Sequence, residues 1–324
     1  MRIGIDLGGT KIEAICLGDD GRVLLRRRVA APRDDYAATL GAIRDLVISS
    51  EAELGLRAPP GPGCAQPAPR GGEGSLGRPG ASFIGSVGIG MPGTISSTTG
   101  LVKNANSTWL IGRPLHRDLE AALERPVRVE NDANCFAVSE ATDGAAAGAE
   151  TVFGVILGTG VGGGLVVGGR PLRGANGIAG EWGHNPLPWP KDAERTGPAC
   201  YCGRQGCIET WLSGPGLARD AGLPERDSRA LASLLATGAD SAPAAFERYA
   251  DRLARALASV INVFDPHVIV LGGGVSNLPG LRDAVTARWQ RFVFSDTVET
   301  RLVMNRHGDS SGVRGAAWLW PPGA

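Results

Sequence analysis

The sequence predicts an α/β protein made of two similar halves. Residues 2–17 alternate in polarity, carry β-branched side chains and bend at Gly8 and Gly9, which predicts two strands joined by a glycine turn. Residues 151–167 repeat this arrangement around a Gly-Thr-Gly turn. Size is the third observation, because 324 residues of which 43% are hydrophobic can build one large or two ordinary α/β cores.

Between the two hairpins, the clearest helix signal covers residues 36–54, where apolar side chains recur at a helical period before Gly55. Residues 83–90 are an apolar run of strand length, which predicts a buried strand. The same region predicts a strand at 21–28, a short helix at 114–123, a strand at 127–130 and a helix at 133–140.

Beyond the second hairpin, residues 244–264 show a stronger helical period, and Asp265-Pro266 ends that helix. Residues 267–271 then predict a core strand that runs into three consecutive glycines. The remaining predicted elements are helical pieces at 212–238, a helix at 281–292, a strand at 298–305 and a helix with a small-residue face at 312–320.

The composition changes abruptly at residues 57–82 to Pro, Gly, Ala and Arg, with hardly an aliphatic side chain. Such a segment cannot bury enough apolar surface to fold, so it predicts a flexible loop or a disordered insert. A lid or a contact surface is the alternative, but the composition favours an insert without a function.

Charge and hydropathy exclude several classes of protein. The 33 basic and 33 acidic side chains give a net charge of zero, which gives no support for binding nucleic acid or a membrane surface. No apolar run approaches the roughly 18 residues of a membrane span, and no signal peptide precedes the first strand. We therefore expect a cytoplasmic protein.

A candidate zinc site lies between residues 180 and 209. Cys200, Cys202 and Cys207 fall within eight residues, and His184 can supply a fourth ligand for a closed, structural zinc site. Three unpaired thiols, or one disulfide and one thiol, are the alternatives. The other cysteines (Cys16, Cys64 and Cys135) are isolated, which argues against a secreted disulfide framework.

Two carboxylates accompany the candidate zinc ligands. Glu181 comes three residues before His184, and Glu209 comes two residues after Cys207. A zinc site would hold both carboxylates rigidly near one place, where they could accept hydrogen bonds from a polyhydroxylated ligand.

The glycine turns are candidate phosphate sites, because bare backbone N–H groups can approach an anion. In the first turn Thr10 adds a hydroxyl and Lys11 a cation, and Asp6 at the strand end could hold Mg²⁺ through water. Thr159 and Gly160 belong to the second turn, so both hairpins could serve one phosphate chain. Ordinary turns are the alternative reading, since glycine is common there.

Two further sites each allow two interpretations, one structural and one functional. Asp132 stands where a strand ends and a helix begins, so it is either an N-cap or a general base at the mouth of a sheet. The glycines at 272–274 either let a purine and its ribose lie against the backbone or form a tight strand-to-helix turn.

The motifs together resemble one family, the ROK sugar kinases (repressor, open reading frame, kinase) of the actin-like ATPase superfamily. The resemblance covers nearly the whole chain. It rests on Asp6-Leu-Gly-Gly-Thr-Lys11, Glu130-Asn-Asp-Ala-Asn134, Leu157-Gly-Thr-Gly-Val-Gly-Gly-Gly164, Gly180-Glu-Trp-Gly-His184, Cys200-x-Cys-Gly-x-x-Gly-Cys-x-Glu209 and Leu271-Gly-Gly-Gly274. Within the family, residues 185–189 and 307–318 look most like bacterial fructokinases that accept other hexoses, with N-acetylglucosamine kinases second.

The resemblance implies a two-lobed actin-like/ribonuclease H-like α/β fold with a structural zinc loop in the second lobe. The expected lobes are residues 1–120, completed by the helix at 311–324, and residues 121–310. It also implies transfer of the γ-phosphoryl group of ATP, with Mg²⁺, to a hexose, with fructose as the first expectation. N-acetylglucosamine, glucose and mannose are the alternative substrates, and a homodimer is expected. The insert at 57–82 is longer than the family pattern.

The resemblance also implies roles for single residues. Asp132 matches the catalytic base. His184 would have one ring nitrogen on zinc and the other free for a sugar hydroxyl. The sugar positions are Asn106, Asn131, Asp132, Glu181, His184 and Glu209, and the nucleotide positions are Asp6, Gly8, Gly9, Thr10, Lys11, Thr159, Gly160, Gly273 and Gly274.

A non-catalytic function is the competing hypothesis. The family also contains sugar-sensing repressors, but these carry a helix-turn-helix ahead of the first hairpin, and here that hairpin starts at Arg2. A sugar-binding protein without catalysis would have no need for Asp132 or for both phosphate hairpins. The sequence therefore favours an active kinase.

Overall fold

A computed structural model describes residues 1–56, 85–223 and 241–321 of the chain. The expected insert at 57–82, the isolated Cys64 and the end of the predicted helical region at 212–238 lie outside these residues. The chain forms two compact units, one made of Met1–Asn131 with Ala316–Ala324 and the other of Asp132–Gly315.

Among its described residues, the first unit contains a five-stranded sheet and two α-helices, α1 and α2. Its elements are β1 Arg2–Leu7, β2 Lys11–Leu17, β3 Val23–Ala30, α1 Tyr36–Glu53, β4 Ser86–Met91, α2 Leu115–Leu123 and β7 Val127–Asn131, with a small sheet of β5 Thr94–Ile95 and β6 Val102–Lys103. The strand order is β3-β2-β1-β4-β7. Strand β1 pairs antiparallel with β2 and parallel with β4, and β4 pairs parallel with β7.

The second unit repeats this plan. Its strands are β8 Thr151–Leu157, β9 Val161–Val167, β10 Arg170–Pro171, β11 Val268–Gly272 and β12 Arg301–Met304. Its helices are α3 Asp132–Thr142, α4 Ile208–Leu212, α5 Gly214–Asp220, α6 Ser241–Phe264 and α7 Leu281–Trp289, and α8 Ser311–Trp318 begins here. The strand order is β10-β9-β8-β11-β12, so an antiparallel hairpin again lies beside parallel strands.

Strand β7 corrects one expectation from the sequence. The predicted second lobe, residues 121–310, includes this strand, yet β7 pairs along its whole length with β4 in the first unit. The reason is that strand pairing is not local, so the helical and strand signals around residue 127 cannot report it. The first unit therefore extends to Asn131, and the second begins at Asp132.

Each unit has its own apolar core. In the first unit, Ile3, Ile5 and Ile89 are fully buried between the sheet and its helices. In the second, Tyr249 and Leu253 on α6 are fully buried in the core that contains strand β11. No helix within the described ranges is long and apolar enough to cross a membrane.

Helix α3 lies unusually close to the second hairpin. A Cβ atom on Gly164 of β9 would stand 2.4 Å from the carbonyl oxygen of Ala133, a distance that no real side chain tolerates. Glycine at this position lets the first turn of α3 pack directly against β9. This packing fixes where the N-terminal residue of α3, Asp132, is presented in the second unit.

Candidate functional site

The first hairpin turn leaves open space above its backbone. The N–H of Gly8 donates to the carbonyl oxygen of Lys11 at 3.0 Å, which closes the turn. A Cβ atom on Gly9 would meet only the Ser107 Oγ, at an ordinary 3.5 Å. The fold itself therefore does not require glycine at position 9, whereas a ligand that approaches the backbone would.

Asp6 stands at the carboxyl end of β1, directly opposite Glu13 on β2. Burial, together with the charge of Glu13, raises the pKa of Asp6 to about 6, although Lys11 and Arg28 act in the opposite direction. Such a carboxyl is poorly satisfied by its protein surroundings, and a divalent cation would stabilise its charged form. Asp6 therefore fits a Mg²⁺ position.

Two asparagines of the first unit occupy different settings. Asn131 ends β7, and its Nδ2 donates to the carbonyl oxygen of Gly93 at 3.0 Å. Because β1, β4 and β7 are parallel, Asp6 and Asn131 lie at the same edge of the sheet, where α/β proteins bind ligands. Asn106 is exposed on the loop that follows β6.

Asp132 begins α3, and its Oδ1 accepts the N–H of Ala133 at 2.8 Å. The far end of the same helix is held by Glu140, which is fully buried. The Glu140 carboxylate accepts the Ser311 hydroxyl at 2.8 Å and the N–H of Arg306 at 3.0 Å. Helix α3 is therefore a rigid support for Asp132 within the second unit.

Glu209 links the candidate zinc loop to the second hairpin. Its Oε2 accepts the N–H of Val161 at 2.9 Å, immediately after the turn that contains exposed Thr159 and Gly160. A Cβ atom on Gly160 would stand 2.7 Å from the same oxygen. The sequence did not reveal this contact, because no local pattern reports a hydrogen bond between residues so far apart.

The four candidate zinc ligands come together as predicted. The ligand atoms of His184, Cys200, Cys202 and Cys207 all lie within 4.8 Å of one another. The Nδ1 of His184 is 3.6 Å from the Sγ of Cys200, and the Sγ atoms of Cys202 and Cys207 are 3.7 Å apart. A tetrahedral zinc with Zn–S of about 2.3 Å and Zn–N of about 2.0 Å requires edges of about 3.5 and 3.8 Å, so the donor set fits zinc.

The same distances decide against a disulfide. All three cysteines are free, and a disulfide requires sulfur atoms about 2 Å apart. The carboxyl end of the loop is anchored as well, because Cys207 forms a β-bridge with Pro186.

His184 departs from the expectation in one respect. Its Nε2 is not free, because it forms a hydrogen bond with the Tyr201 hydroxyl at 3.0 Å. The two rings also meet edge to face, with centroids 5.2 Å apart. Tyr201 is the unspecified residue of the Cys-x-Cys motif, so sequence analysis assigned it no role.

Glu181 lies near this group. The pKa of Glu181 is raised above its usual value, mainly because burial removes water from around its carboxyl. The charge of Glu209 raises this pKa further, whereas the charge of His184 lowers it. The neighbouring Trp182 is buried, and its Nε1 donates to the carbonyl oxygen of Gly162 at 3.0 Å, which ties the segment to β9. Two carboxylates and one imidazole therefore converge in the second unit.

The glycines after β11 divide into two kinds. Gly273 has a φ of +83°, and a Cβ atom there would stand 2.3 Å from the carbonyl oxygen of Leu157. A Cβ atom on Gly274 would meet nothing within 4 Å. The tight-turn interpretation explains Gly273, whereas Gly274 leaves room for a ligand.

The predicted residues are thus distributed over both units. The first unit contains Asp6, Gly8, Gly9, Thr10, Lys11, Asn106 and Asn131, and the second contains Asp132, Thr159, Gly160, Glu181, His184, Cys200, Cys202, Cys207, Glu209, Gly273 and Gly274.

Comparison with known proteins gives consistent matches over the whole chain. A family model described as the ROK family matches residues 2–58 and 78–322. An N-acetyl-D-glucosamine kinase of Escherichia coli O6:H1 is 39% identical over an alignment of 334 positions, which covers 98% of this chain and 99% of that protein. The matched region therefore spans the positions of every motif described above.

Solved structures of ROK family proteins also match nearly the whole chain. The crystal structure of a ROK hexokinase from Thermus thermophilus is 34% identical, with a TM-score of 0.79 over 98% of this chain and 97% of that one. A ROK family glucokinase from Streptomyces griseus, solved with glucose and AMPPNP, is 28% identical, with a TM-score of 0.72 over 98% of both chains.

Proposed function

The chain belongs to the ROK family and has its actin-like α/β fold, and from this premise we propose that it is an N-acetyl-D-glucosamine kinase. The coarser activity follows from the family and its relatives: the chain is an ATP-dependent sugar kinase that requires Mg²⁺. One observation supports the choice of N-acetylglucosamine as the sugar. Curated relatives that are 38–39% identical over nearly the entire chain bear the name N-acetyl-D-glucosamine kinase.

This proposal replaces the first expectation from the sequence. Residues 185–189 and 307–318 suggested a fructokinase, and the relatives do not support that choice. Hexoses of this kind differ by one carbonyl, one stereocentre or one acetamido group. Short motifs around the metal ligands report the family and are too coarse to report such a difference.

We propose that each glycine turn, within its own unit, binds phosphate groups of ATP. The open backbone at Gly9 and the exposed Thr159 support this assignment, together with the hydroxyl of Thr10 and the cation of Lys11. Asp6 would hold Mg²⁺, which would stabilise the charged form of its carboxyl and offset its raised pKa. The open side of Gly274 would accommodate the adenosine.

The sugar is assigned to Asn106, Asn131, Glu181, His184 and Glu209. Carboxylates and amides suit this task because each sugar hydroxyl offers both a donor and an acceptor. Zinc, when bound by the four ligands, would fix the loop that carries His184 and Glu209. In this role the metal supports the structure and takes no part in the chemical step.

Asp132 is proposed as the general base. As the sugar oxygen bonds to the γ-phosphorus and the bond to the bridging oxygen of ADP breaks, Asp132 would accept the proton of the sugar hydroxyl. Its placement at the start of a rigid helix supports this role, because phosphoryl transfer depends mainly on positioning. Removing such a base costs on the order of 10²- to 10⁴-fold in rate.

The test is ATP consumption by the zinc-replete protein with Mg²⁺ and N-acetylglucosamine, fructose, glucose or mannose. We expect the highest kcat/KM with N-acetylglucosamine, a loss of on the order of 10²-fold or more in kcat for Asp132→Asn, and no loss for Asp45→Asn, whose side chain is 68% exposed on α1. A higher kcat/KM with fructose would contradict the proposed substrate. Full activity of Asp132→Asn would contradict the proposed base.

A further inference from the structure

Tyr201 has an unusual combination of exposure and contact. It lies between two candidate zinc ligands in sequence, yet 84% of it is exposed. Its hydroxyl is nevertheless held, because it forms the 3.0 Å hydrogen bond with the Nε2 of His184. A single exposed side chain thus occupies the ring nitrogen of His184 that does not belong to the thiol cluster.

The other ring nitrogen of His184 is directed into that cluster. Its Nδ1 lies 3.6 Å from the Sγ of Cys200 and belongs to the ligand group. A neutral imidazole that uses Nδ1 as an electron-pair donor carries its proton on Nε2. His184 can therefore offer a ligand outside the cluster only one hydrogen bond, which is the bond that Tyr201 now occupies.

We propose that the Tyr201 hydroxyl takes the place of a sugar hydroxyl on His184 and must leave when the sugar binds, so that Tyr201 sets the affinity for the sugar. This inference rests on the proposed function, because it assumes that His184 belongs to the sugar site. One N–H group makes one well-aligned hydrogen bond, so the phenol and the sugar cannot both occupy it.

Displacement is structurally feasible. The side chain of Tyr201 is mostly outside the protein, and within the described part of the chain it is held by the hydrogen bond and the edge-to-face ring contact with His184. Rotation about two side-chain torsions would release both without disturbing the Cys200 and Cys202 backbone. A lost hydrogen bond of this kind corresponds to about a two- to tenfold change in affinity.

The test compares the wild type with Tyr201→Phe, which keeps the ring and removes only the hydroxyl. We expect the KM for the sugar, and its Kd measured by calorimetry without ATP, to fall about two- to tenfold. The kcat, the KM for ATP and the zinc content should stay unchanged. Tyr36→Phe is the matched control, because its hydroxyl bonds Asp118 in the first unit and its loss should leave the sugar KM unchanged.

The outcomes separate this inference from the proposed function. If the wild type phosphorylates any sugar of the panel while Tyr201→Phe has an equal or higher KM and Kd for it, the inference is wrong and the kinase assignment stands. If the wild type neither binds nor phosphorylates any of these sugars, both are wrong. Tyr201→Leu, which removes the ring as well, should change the Kd in the same direction as Tyr201→Phe, and an increase in Kd would show that Tyr201 helps to bind the sugar.

Discussion

Asp6 and Glu13 face each other across the first hairpin, yet their carboxyls have opposite pKa shifts. Burial acts to raise the pKa of the Glu13 carboxyl. Hydrogen bonds from Arg26 and Arg28 have a larger effect in the opposite direction, so the pKa lies below the usual value. Within the described residues Asp6 has no such pair of partners, and its pKa rises to about 6. One of the two acids is therefore stabilised by the fold, whereas the other is left for a ligand.

Asp6→Asn should stabilise the protein above pH 6. A raised pKa means that the folded state holds the proton more tightly than the unfolded chain, so ionisation of Asp6 costs stability, by up to about 3 kcal/mol for a shift of this size. The cost is complete above pH 6 and disappears as the pH falls from 6 toward 4. Urea unfolding without Mg²⁺ at pH 8 and pH 5 measures it.

Asp45→Asn is the control for this prediction, because its carboxylate is largely exposed and should give a small, pH-independent change. An unfolding free energy of Asp6→Asn at pH 8 equal to or below that of the wild type would contradict the assigned pKa. We also expect this variant to lose Mg²⁺-dependent activity, so that the gain in stability accompanies a loss of function.

The pair Gly273 and Gly274 separates a glycine required by the fold from one required by a ligand. Gly274→Ala should change the stability by less than about 0.5 kcal/mol, because the new methyl group meets nothing, but it should raise the KM for ATP about tenfold or more. Gly273→Ala should lower the free energy of unfolding by about 1–3 kcal/mol, because of its positive φ and the contact with Leu157. Thermal unfolding of both variants measures the changes in stability, and ATP kinetics measure the changes in KM. An unchanged KM for Gly274→Ala would contradict the assignment of the adenosine to this glycine.

At the scale of elements, a buried ion-pair network fastens the segment between His184 and Cys200 to helix α6. The carboxylate of Glu194 accepts hydrogen bonds from Arg252 at 2.7 Å and from Arg255 at 2.9 Å, and all three side chains are buried. Lys191 and Arg255 both pair with Asp251 on the same helix. Ion pairs therefore hold this segment in the middle, and the candidate zinc ligands flank it on both sides.

Glu194→Gln should lower the free energy of unfolding by about 3 kcal/mol, because it removes the anion that Arg252 and Arg255 share. Each buried guanidinium then keeps one carboxylate, Asp220 for Arg252 and Asp251 for Arg255. Asp192→Asn is a close control, since this carboxylate is in the same turn but 94% exposed, and its loss should cost less than about 0.5 kcal/mol. Chemical unfolding measures both. Equal effects of the two substitutions would show that burial of the network does not matter.

Sequence patterns predicted what is local in these elements. Both hairpins follow from alternation and glycine turns, and the four zinc ligands follow from spacing, because each feature is written within a short stretch of chain. The patterns could not assign β7 to its sheet or join Glu209 to Val161, since both depend on which distant residues meet. Tyr201 was missed for another reason: its contact with His184 depends on the three-dimensional arrangement of the loop, and the Cys-x-Cys spacing specifies only the two cysteines.

At the scale of the whole molecule, the first unit is assembled from two distant parts of the chain. The Nε of Arg2 on β1 donates to the carbonyl oxygen of Trp320 at 3.1 Å. The guanidinium of Arg128 on β7 lies 4.2 Å from the centre of the Trp320 ring, and the Nε1 of Trp320 donates to the carbonyl oxygen of Val87 at 2.7 Å. The segment after α8 therefore joins three strands of the first sheet.

Trp320→Ala should lower the stability of the first unit by about 2–4 kcal/mol, through lost packing and lost cation–π contact. Hydrogen exchange in β1, β4 and β7 measures the effect directly and should show faster exchange there. The stability of the first unit in Trp320→Phe should lie between those of the wild type and Trp320→Ala, because phenylalanine keeps a ring over Arg128 but loses the hydrogen bond to Val87. Exchange that accelerates equally in β8 and β11 would show that the effect is not confined to the first unit.

This two-part construction has a consequence for synthesis. A ribosome releases strands β1 to β7 and then the entire second unit before residues 316–320 emerge to close the first sheet. During synthesis the sheet of the first unit therefore lacks its C-terminal segment until the end, whereas all residues of the second unit are present earlier. A chain cut short after α7 would leave Val87, Arg2 and Arg128 without the contacts that Trp320 makes, so its first unit should be less stable than that of the full chain.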